Sequence, residues 1–268
     1  MKKHLITYNV QELIPYINWG YFFHAWEINP LQQNKPTARQ LQQEAIALLT
    51  NSDCKAHALF ALYEAHSEGD NIILEGTTLP LLRQQHTLPG KPNLCLSDFV
   101  SPYNDKVGLF ATAIENSYEE NKNCDDPYTN LLIQTTADRL AEAAATLLHL
   151  DVRTKGDLWG YSPDEQLSIE ELLHEKQCGI RPAVGYPSLP DQSIIFIIDK
   201  LLGLADAGIT LTHSGAMQPH AAVCGMMIAH SAAHYFAVGK ISDEQLYDYA
   251  ERRNITIDNL QKYLMRNI

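Results

Sequence analysis

The stretch Gly179-Ile-Arg-Pro-Ala-Val-Gly-Tyr-Pro-Ser-Leu-Pro190 constrains this chain most. Two glycines and three prolines in twelve residues exclude a regular helix and a sheet interior, because each proline removes a backbone donor and locks φ. Glycine permits close backbone approach and unusual dihedrals. Proline presets the loop, so less ordering entropy is lost when a ligand binds. Arg181 is the one cation in the stretch. A guanidinium held in a preset loop suits a carboxylate or phosphate. It equally suits a structural loop with a surface arginine, and pattern alone leaves both readings open.

The elements around this loop are mixed. Thr37 to Asn51 reads as a helix with Ala38, Leu41, Ala45, Leu48 and Leu49 on one face. His57 to Glu64 and Asn71 to Glu75 read as strands around the turn Ser67-Glu-Gly-Asp70. Val107 to Ile114 reads as a further strand, and Tyr128 to Leu150 as the longest helix. Ser168-x-x-Glu171 is a capping box that opens a short helix leading into the Arg181 loop. Ile194 to Leu204 reads as a buried helix; Ile209 to Leu211, Ala222 to Ile228 and Tyr235 to Val238 read as strands. Ser242-x-x-Gln245 caps a helix through Arg253, and a last short helix follows. Asn116 to Pro127 is polar and acidic, the best candidate for an exposed loop. Regular β-α alternation is absent, which argues against a doubly wound parallel sheet. No G-x-G-x-x-G opens a helix, so the usual nucleotide fingerprint is missing.

Charge narrows the partners. Twenty Lys and Arg stand against 32 Asp and Glu, a formal charge of −12. Nucleic acid needs a basic footprint, and an anionic membrane surface needs basic segments, so neither partner is expected. No apolar run is long enough to span a bilayer. Met1-Lys-Lys-His opens like a signal peptide, but Asn9, Gln11 and Glu12 interrupt any apolar core. Five cysteines, an odd number without a C-x-x-C pair, point to reduced thiols and a cytoplasmic location.

Further segments flank the loop. Upstream lie Trp159-Gly-Tyr-Ser-Pro-Asp-Glu165, Leu167-Ser-Ile-Glu-Glu-Leu172 and Glu175-Lys176; downstream lie Gly208-Ile-Thr-Leu-Thr212, Ala216-Met217 and Tyr235-Phe-Ala-Val-Gly-Lys-Ile241. The first half contributes Pro15-Tyr-Ile-Asn-Trp19, Phe22-Phe23, Trp26, Leu82-Arg-Gln-Gln85, Asn93-Leu-Cys-Leu-Ser-Asp-Phe-Val100 and Ala137-Asp-Arg-Leu-Ala-Glu-Ala143. In this order and spacing the chain resembles the C-terminal activation domain of cobalamin-dependent methionine synthase. That family carries the pattern Arg-Pro-Ala-x-Gly-Tyr-Pro, which Arg181 to Pro187 reproduce. The resemblance implies an α+β fold: one C-shaped domain over residues 1–268, with a twisted antiparallel sheet and flanking helices.

The resemblance also implies S-adenosylmethionine as the ligand, with cobalamin reached only through a partner protein. Arg181 matches the family arginine that holds the ligand's carboxylate. Ala183, Gly185 and Tyr186 match loop positions that approach the ligand, and Tyr186 matches the ring nearest the corrin. Tyr235 and Phe236 match an aromatic pair at the ligand site, although a strand aromatic pair is otherwise most often core. Glu142 and Glu175 match acidic positions suited to a sulfonium and an ammonium; Glu142 could instead pair with Arg139 or face solvent. Asn18 stands where the family has an aspartate that contacts the ligand. Asn keeps the shape and a carbonyl acceptor but loses the charge, so weaker binding is expected. Gln218 and His220 also depart from the family pattern. No residue is assigned a catalytic role, and no metal ligand is assigned. His230 and His234 have the i, i+4 spacing of a zinc pair, but Ser231 stands where H-E-x-x-H needs its glutamate.

These 268 residues contain no D-x-H-x-x-G cobalamin motif and are too few for homocysteine, folate and cobalamin modules. The resemblance therefore implies a freestanding component that acts in trans on a methionine synthase lacking its own activation domain. It would supply S-adenosylmethionine while a flavodoxin-type reductant supplies an electron, without a complete catalytic site of its own. The alternative is a binding or regulatory protein of the same fold that has lost methyl-donor function or serves another corrinoid protein.

Overall fold

In a computed structural model, residues 2–33, 35–87, 89–115 and 125–264 are described. The strands are β1 (Lys3–Asn9), β2 (Lys55–Glu68), β3 (Asn71–Leu74), β4 (Thr77–Pro80), β5 (Asp105–Ile114), β6 (Thr210–Leu211), β7 (Met217–Gln218) and β8 (Ala222–Ile228). The α-helices are α1 (Val10–Leu13), α2 (Trp19–Ala25), α3 (Pro36–Thr50), α4 (Pro127–Thr154), α5 (Ile169–Leu173), α6 (Ile194–Leu202), α7 (Asp243–Arg253) and α8 (Ile257–Tyr263).

The sheet is antiparallel throughout, in the order β4-β3-β2-β5-β8, with β1 added beside β2. The long strand β2 organises it. Its first half pairs with β1, its second with β3, and its other edge with β5. The run His57-Ala-Leu-Phe-Ala-Leu-Tyr is apolar at nearly every position because both faces are covered. Leu59, Ala61 and Tyr63 enter one core and Ala58 and Phe60 the other. The register pairs Leu59 with Ala111 and Phe60 with Phe110; a slip of one residue would exchange the two faces.

Helix α4 covers the second face through Ala137, Leu140, Ala141, Ala144 and Leu148. Its small residues bring the helix backbone close to the sheet, and buried Thr112 donates to Ala141 O at 2.9 Å. Pro127 occupies its first turn, and Asp126 caps it by accepting from the N–H groups of Tyr128 and Thr129. Helix α6 covers the first face with Ile194, Ile195, Ile198 and Leu202, and ends at Gly203 in the left-handed conformation. Helices α7 and α8 close a smaller core with Leu82 and Val238. Among the described residues no helix is long and apolar enough to cross a membrane.

The structure adds one element, changes one expectation and leaves a third largely outside the described residues. The start of the chain forms strand β1 beside β2; its polarity does not follow its alternating exposure, since Leu5 faces out and His4 in. Tyr235 to Val238 joins no sheet; its polar contacts run to side chains and to the Arg181 loop. The expected loop at Asn116 to Pro127 lies largely outside the described residues; Pro127 already belongs to α4.

Candidate functional site

The segment after α5 runs along the free edge of β8. Ile180 exchanges both backbone bonds with Ile228 at 3.0 and 2.9 Å, Val184 N donates to Cys224 O at 2.9 Å, and Met226 N donates to Pro182 O at 3.1 Å. Ala183 sits opposite Gly225 between those bonds, so its own N–H and C=O turn away from β8. The C=O accepts from Tyr186 N at 3.2 Å. Gly225 makes the approach possible: a Cβ there would stand 2.8 Å from Ala183 Cα and closer still to the Pro182 carbonyl. The sequence thus docks an irregular loop on a sheet edge through one glycine.

Between this loop, α2 and α4 lies a cleft of about 870 Å³. Asn18, Glu142, Glu175, Arg181, Ala183, Tyr186, Tyr235 and Phe236 all line it. Gly185 does not. It makes a turn with φ +84°, a conformation that favours glycine, its N–H donating to Leu189 O at 2.8 Å.

Arg181 is the centre. Its side chain is 19 % exposed, and Nη1 donates to Glu142 Oε2 at 3.2 Å while Nη2 donates to Thr146 Oγ1 at 3.0 Å. Burial alone would lower the guanidinium's pKa, but Glu142 and Tyr235 more than offset this, so it stays charged. Its backbone N–H donates to Tyr235 Oη at 3.0 Å. Glu142 also accepts from the Tyr186 hydroxyl. Burial and this carboxylate push the Tyr186 phenol far above its usual pKa, so it remains a donor. Glu142 therefore pairs with Arg181 and Tyr186, and not with Arg139. Arg139 instead lies over the exposed ring of Tyr21, 6.0 Å from its centroid, and lines the cleft with it.

Glu175 lines the cleft with φ +56°, exposed as a residue but with its carboxyl partly enclosed. That partial desolvation raises its pKa, Arg181 opposes the rise and Glu142 adds to it. Asn18 is the N-cap of α2: its Oδ1 accepts from Gly20 N at 3.1 Å and Tyr21 N at 3.4 Å. The carbonyl that the sequence reading offers to a ligand is thus used by the helix, and the amide NH2 is what remains for the cleft. The loop is also held by Ser188, whose Oγ donates to Phe236 O and accepts from Phe236 N.

Sequence reasoning missed Tyr16, Tyr21, Arg139, Thr146 and His174 on the cleft wall. Thr146 was findable, since it lies one helical turn beyond Glu142. His230 and His234 lie apart from the cleft at a turn, their rings 5.9 and 5.7 Å from that of Phe99. Among the described residues no group of three or more His, Cys, Asp or Glu is placed to hold a metal ion.

The profile of the family described as "Vitamin B12 dependent methionine synthase, activation domain" matches residues 9–254. The chain belongs to this family. A crystal structure of the MetH reactivation domain bound to AdoHcy is similar over 100 % of this chain and 90 % of that one, with 31 % identity and a TM-score of 0.92. The α+β architecture, an antiparallel sheet with flanking helices, is therefore that of an activation domain.

Proposed function

We propose that the cleft binds S-adenosylmethionine and presents it to the cobalamin of a separate methionine synthase that lacks its own activation domain. The reaction supported is reductive methylation of inactive cob(II)alamin to methylcobalamin. The observation that carries this reading is the meeting, in one cleft of an activation-domain fold, of the charged Arg181 guanidinium, the Glu142 and Glu175 carboxylates and the Tyr235 and Phe236 rings. S-adenosylmethionine has a carboxylate, an ammonium, a sulfonium and an adenine, and the wall offers a group of matching chemistry for each. The volume of about 870 Å³ falls in the range of small-molecule sites.

Arg181 would hold the carboxylate with donors not used by Glu142 and Thr146. Glu175 and Glu142 would face the cationic groups. The N–H of Ala183, turned away from β8, is a further donor on this wall, and Tyr235 and Phe236 offer apolar surface. Tyr186, 49 % exposed, stands at the mouth, where a corrin carried by the partner would approach. Bound S-adenosylmethionine supplies an electrophilic methyl group, and a flavodoxin-type reductant supplies the electron. This chain binds, orients and shields, and has no complete catalytic site by itself. A cytoplasmic location accords with that chemistry.

The test is reconstitution. Inactive synthase, S-adenosylmethionine and a reductant are combined with and without this chain, and the visible spectrum of methylcobalamin is followed. The chain is expected to speed its return. No acceleration with the synthase of the same organism refutes trans activation. With the Asn18 carbonyl taken by the helix end, no anionic acceptor stands at this position of the wall, which favours a second reading, a binding or regulatory protein without methyl-donor function. Ligand binding without reactivation is its signature.

A further inference from the structure

One face of α4 carries Glu142, Thr146, His149 and Arg153. Their spacing of four, three and four residues sets them in a line along the helix. All four act on the same short segment, Cys178 to Arg181. Glu142 and Thr146 hold the Arg181 guanidinium directly. The other two work through intermediaries. His149 Nε2 lies 2.8 Å from Tyr161 Oη, and that hydroxyl donates to Cys178 O at 3.2 Å. A hydroxyl has one proton to give, so His149 must donate from Nε2. Arg153 Nε donates to Glu165 Oε2 at 2.6 Å, and Glu165 Oε1 accepts from Cys178 N at 2.9 Å.

Both backbone polar groups of Cys178 therefore end on side chains held by α4. His149 and Arg153 are each 1 % exposed. Arg153 Nη2 is buried with no hydrogen-bond partner among the described residues. The next residue leaves no slack. Gly179 has φ +76°, and a Cβ there would stand 2.5 Å from Ile228 O and 2.7 Å from Tyr161 Oη.

We propose that His149 and Arg153, through Tyr161 and Glu165, are positioning residues that fix the Cys178 peptide and so aim the Arg181 guanidinium at the carboxylate of the ligand. The inference rests on the S-adenosylmethionine reading for the ligand, and on the clamp alone for the geometry. Releasing either backbone group of Cys178 lets the chain three residues before Arg181 shift. A guanidinium displaced by a fraction of an ångström loses its two-point alignment with a carboxylate.

The variants are Tyr161→Phe, which keeps the ring packed on Trp159 and removes the hydroxyl, and Glu165→Gln, which removes one of two acceptors. Two measurements are made on the whole chain. Amide hydrogen exchange over residues 178–181 is followed without ligand. Calorimetric titration compares S-adenosylmethionine with its decarboxylated analogue. Exchange should quicken about tenfold, and affinity for S-adenosylmethionine should fall about fivefold to tenfold, the weight of one hydrogen bond. Affinity for the decarboxylated analogue should stay within about twofold, because the misplaced group is the one that reads the carboxylate. Combined with Arg181→Ala, neither variant should weaken binding further. Equal loss for both ligands overturns the proposal in favour of a merely structural role, and no loss for either also overturns it. If the parent chain binds neither ligand, the S-adenosylmethionine reading fails on its own, and exchange decides the clamp: unchanged rates in both variants overturn it. If Tyr161→Phe does not fold, Glu165→Gln carries the same comparison.

Discussion

Gly225→Ala tests how the loop is seated on the sheet. The new methyl would stand 2.8 Å from Ala183 Cα and nearer to the Pro182 carbonyl, whereas real Cβ atoms essentially never come within 3.0 Å of another atom. Both neighbours are backbone, so neither can rotate away, and the loop must retreat by several tenths of an ångström. The bonds beside residue 225, Val184 N to Cys224 O and Met226 N to Pro182 O, then lengthen together. Each is worth about 1 kcal/mol net, so about 2 kcal/mol of stability is at stake. For a chain of this size that corresponds to a fall in Tm of roughly 4–8 °C. The pairing of Ile180 with Ile228, three residues away, should survive and keep the fold. Because Ala183 and Arg181 move with the loop, affinity for S-adenosylmethionine should fall about tenfold or more. Thermal denaturation and calorimetric titration read the two effects. Gly156→Ala is the control: a Cβ there meets nothing within 4 Å, and neither quantity should change. If Gly225→Ala matches that control, the loop is not seated through this glycine.

Three further outcomes are expected. Arg181→Ala should cost roughly 2–4 kcal/mol of S-adenosylmethionine binding, since it also leaves Glu142 without its cation; unchanged affinity in a folded variant removes Arg181 from the site. Asn18→Asp keeps an oxygen for the cap of α2 and adds a negative charge to the cleft wall. Binding of the cationic ligand should tighten by about 1 kcal/mol, and a weaker titration places the ligand's ammonium elsewhere. Glu175 has its pKa raised above the usual 4.5, and a cationic ligand favours the ionised form. Affinity should therefore be full above the raised pKa and decline as pH falls through it. The decline sets in at a higher pH than an ordinary glutamate would give, and Glu175→Gln should flatten this part of the pH profile.

Local chemistry made much of this protein legible. The capping boxes and N-caps of α5 and α7, the turn at Gly69, the long apolar repeat of α4 and the collapse of α6 are short-range events, governed by period, proline and glycine. The Gly179 to Pro190 loop is of the same kind, since its residues exclude regular structure wherever they sit. Strand β1 was not legible, because an alternating edge of mixed polarity acquires its meaning from the partner beside it. Tyr235 to Val238 failed for the opposite reason. Its residues favour a strand, but the sheet edge they would join is taken by the Arg181 loop.

The sequence alone determined that Arg181 lies in an irregular segment rich in proline and glycine, and that Glu142 lies on the long helix. It could not determine that the two meet, because 39 residues separate Arg181 from Glu142 and only the packing of α4 on the sheet brings them together. Nor could it show that the Asn18 carbonyl is used by a helix end: asparagine is a favoured cap, but whether its oxygen meets Gly20 N and Tyr21 N depends on the backbone dihedrals there. The roles of Gly225, Tyr161 and Glu165 likewise arise in three dimensions. Each is defined by a backbone atom distant in the chain, and a hydrogen bond or a steric limit to such an atom leaves no periodic trace in sequence.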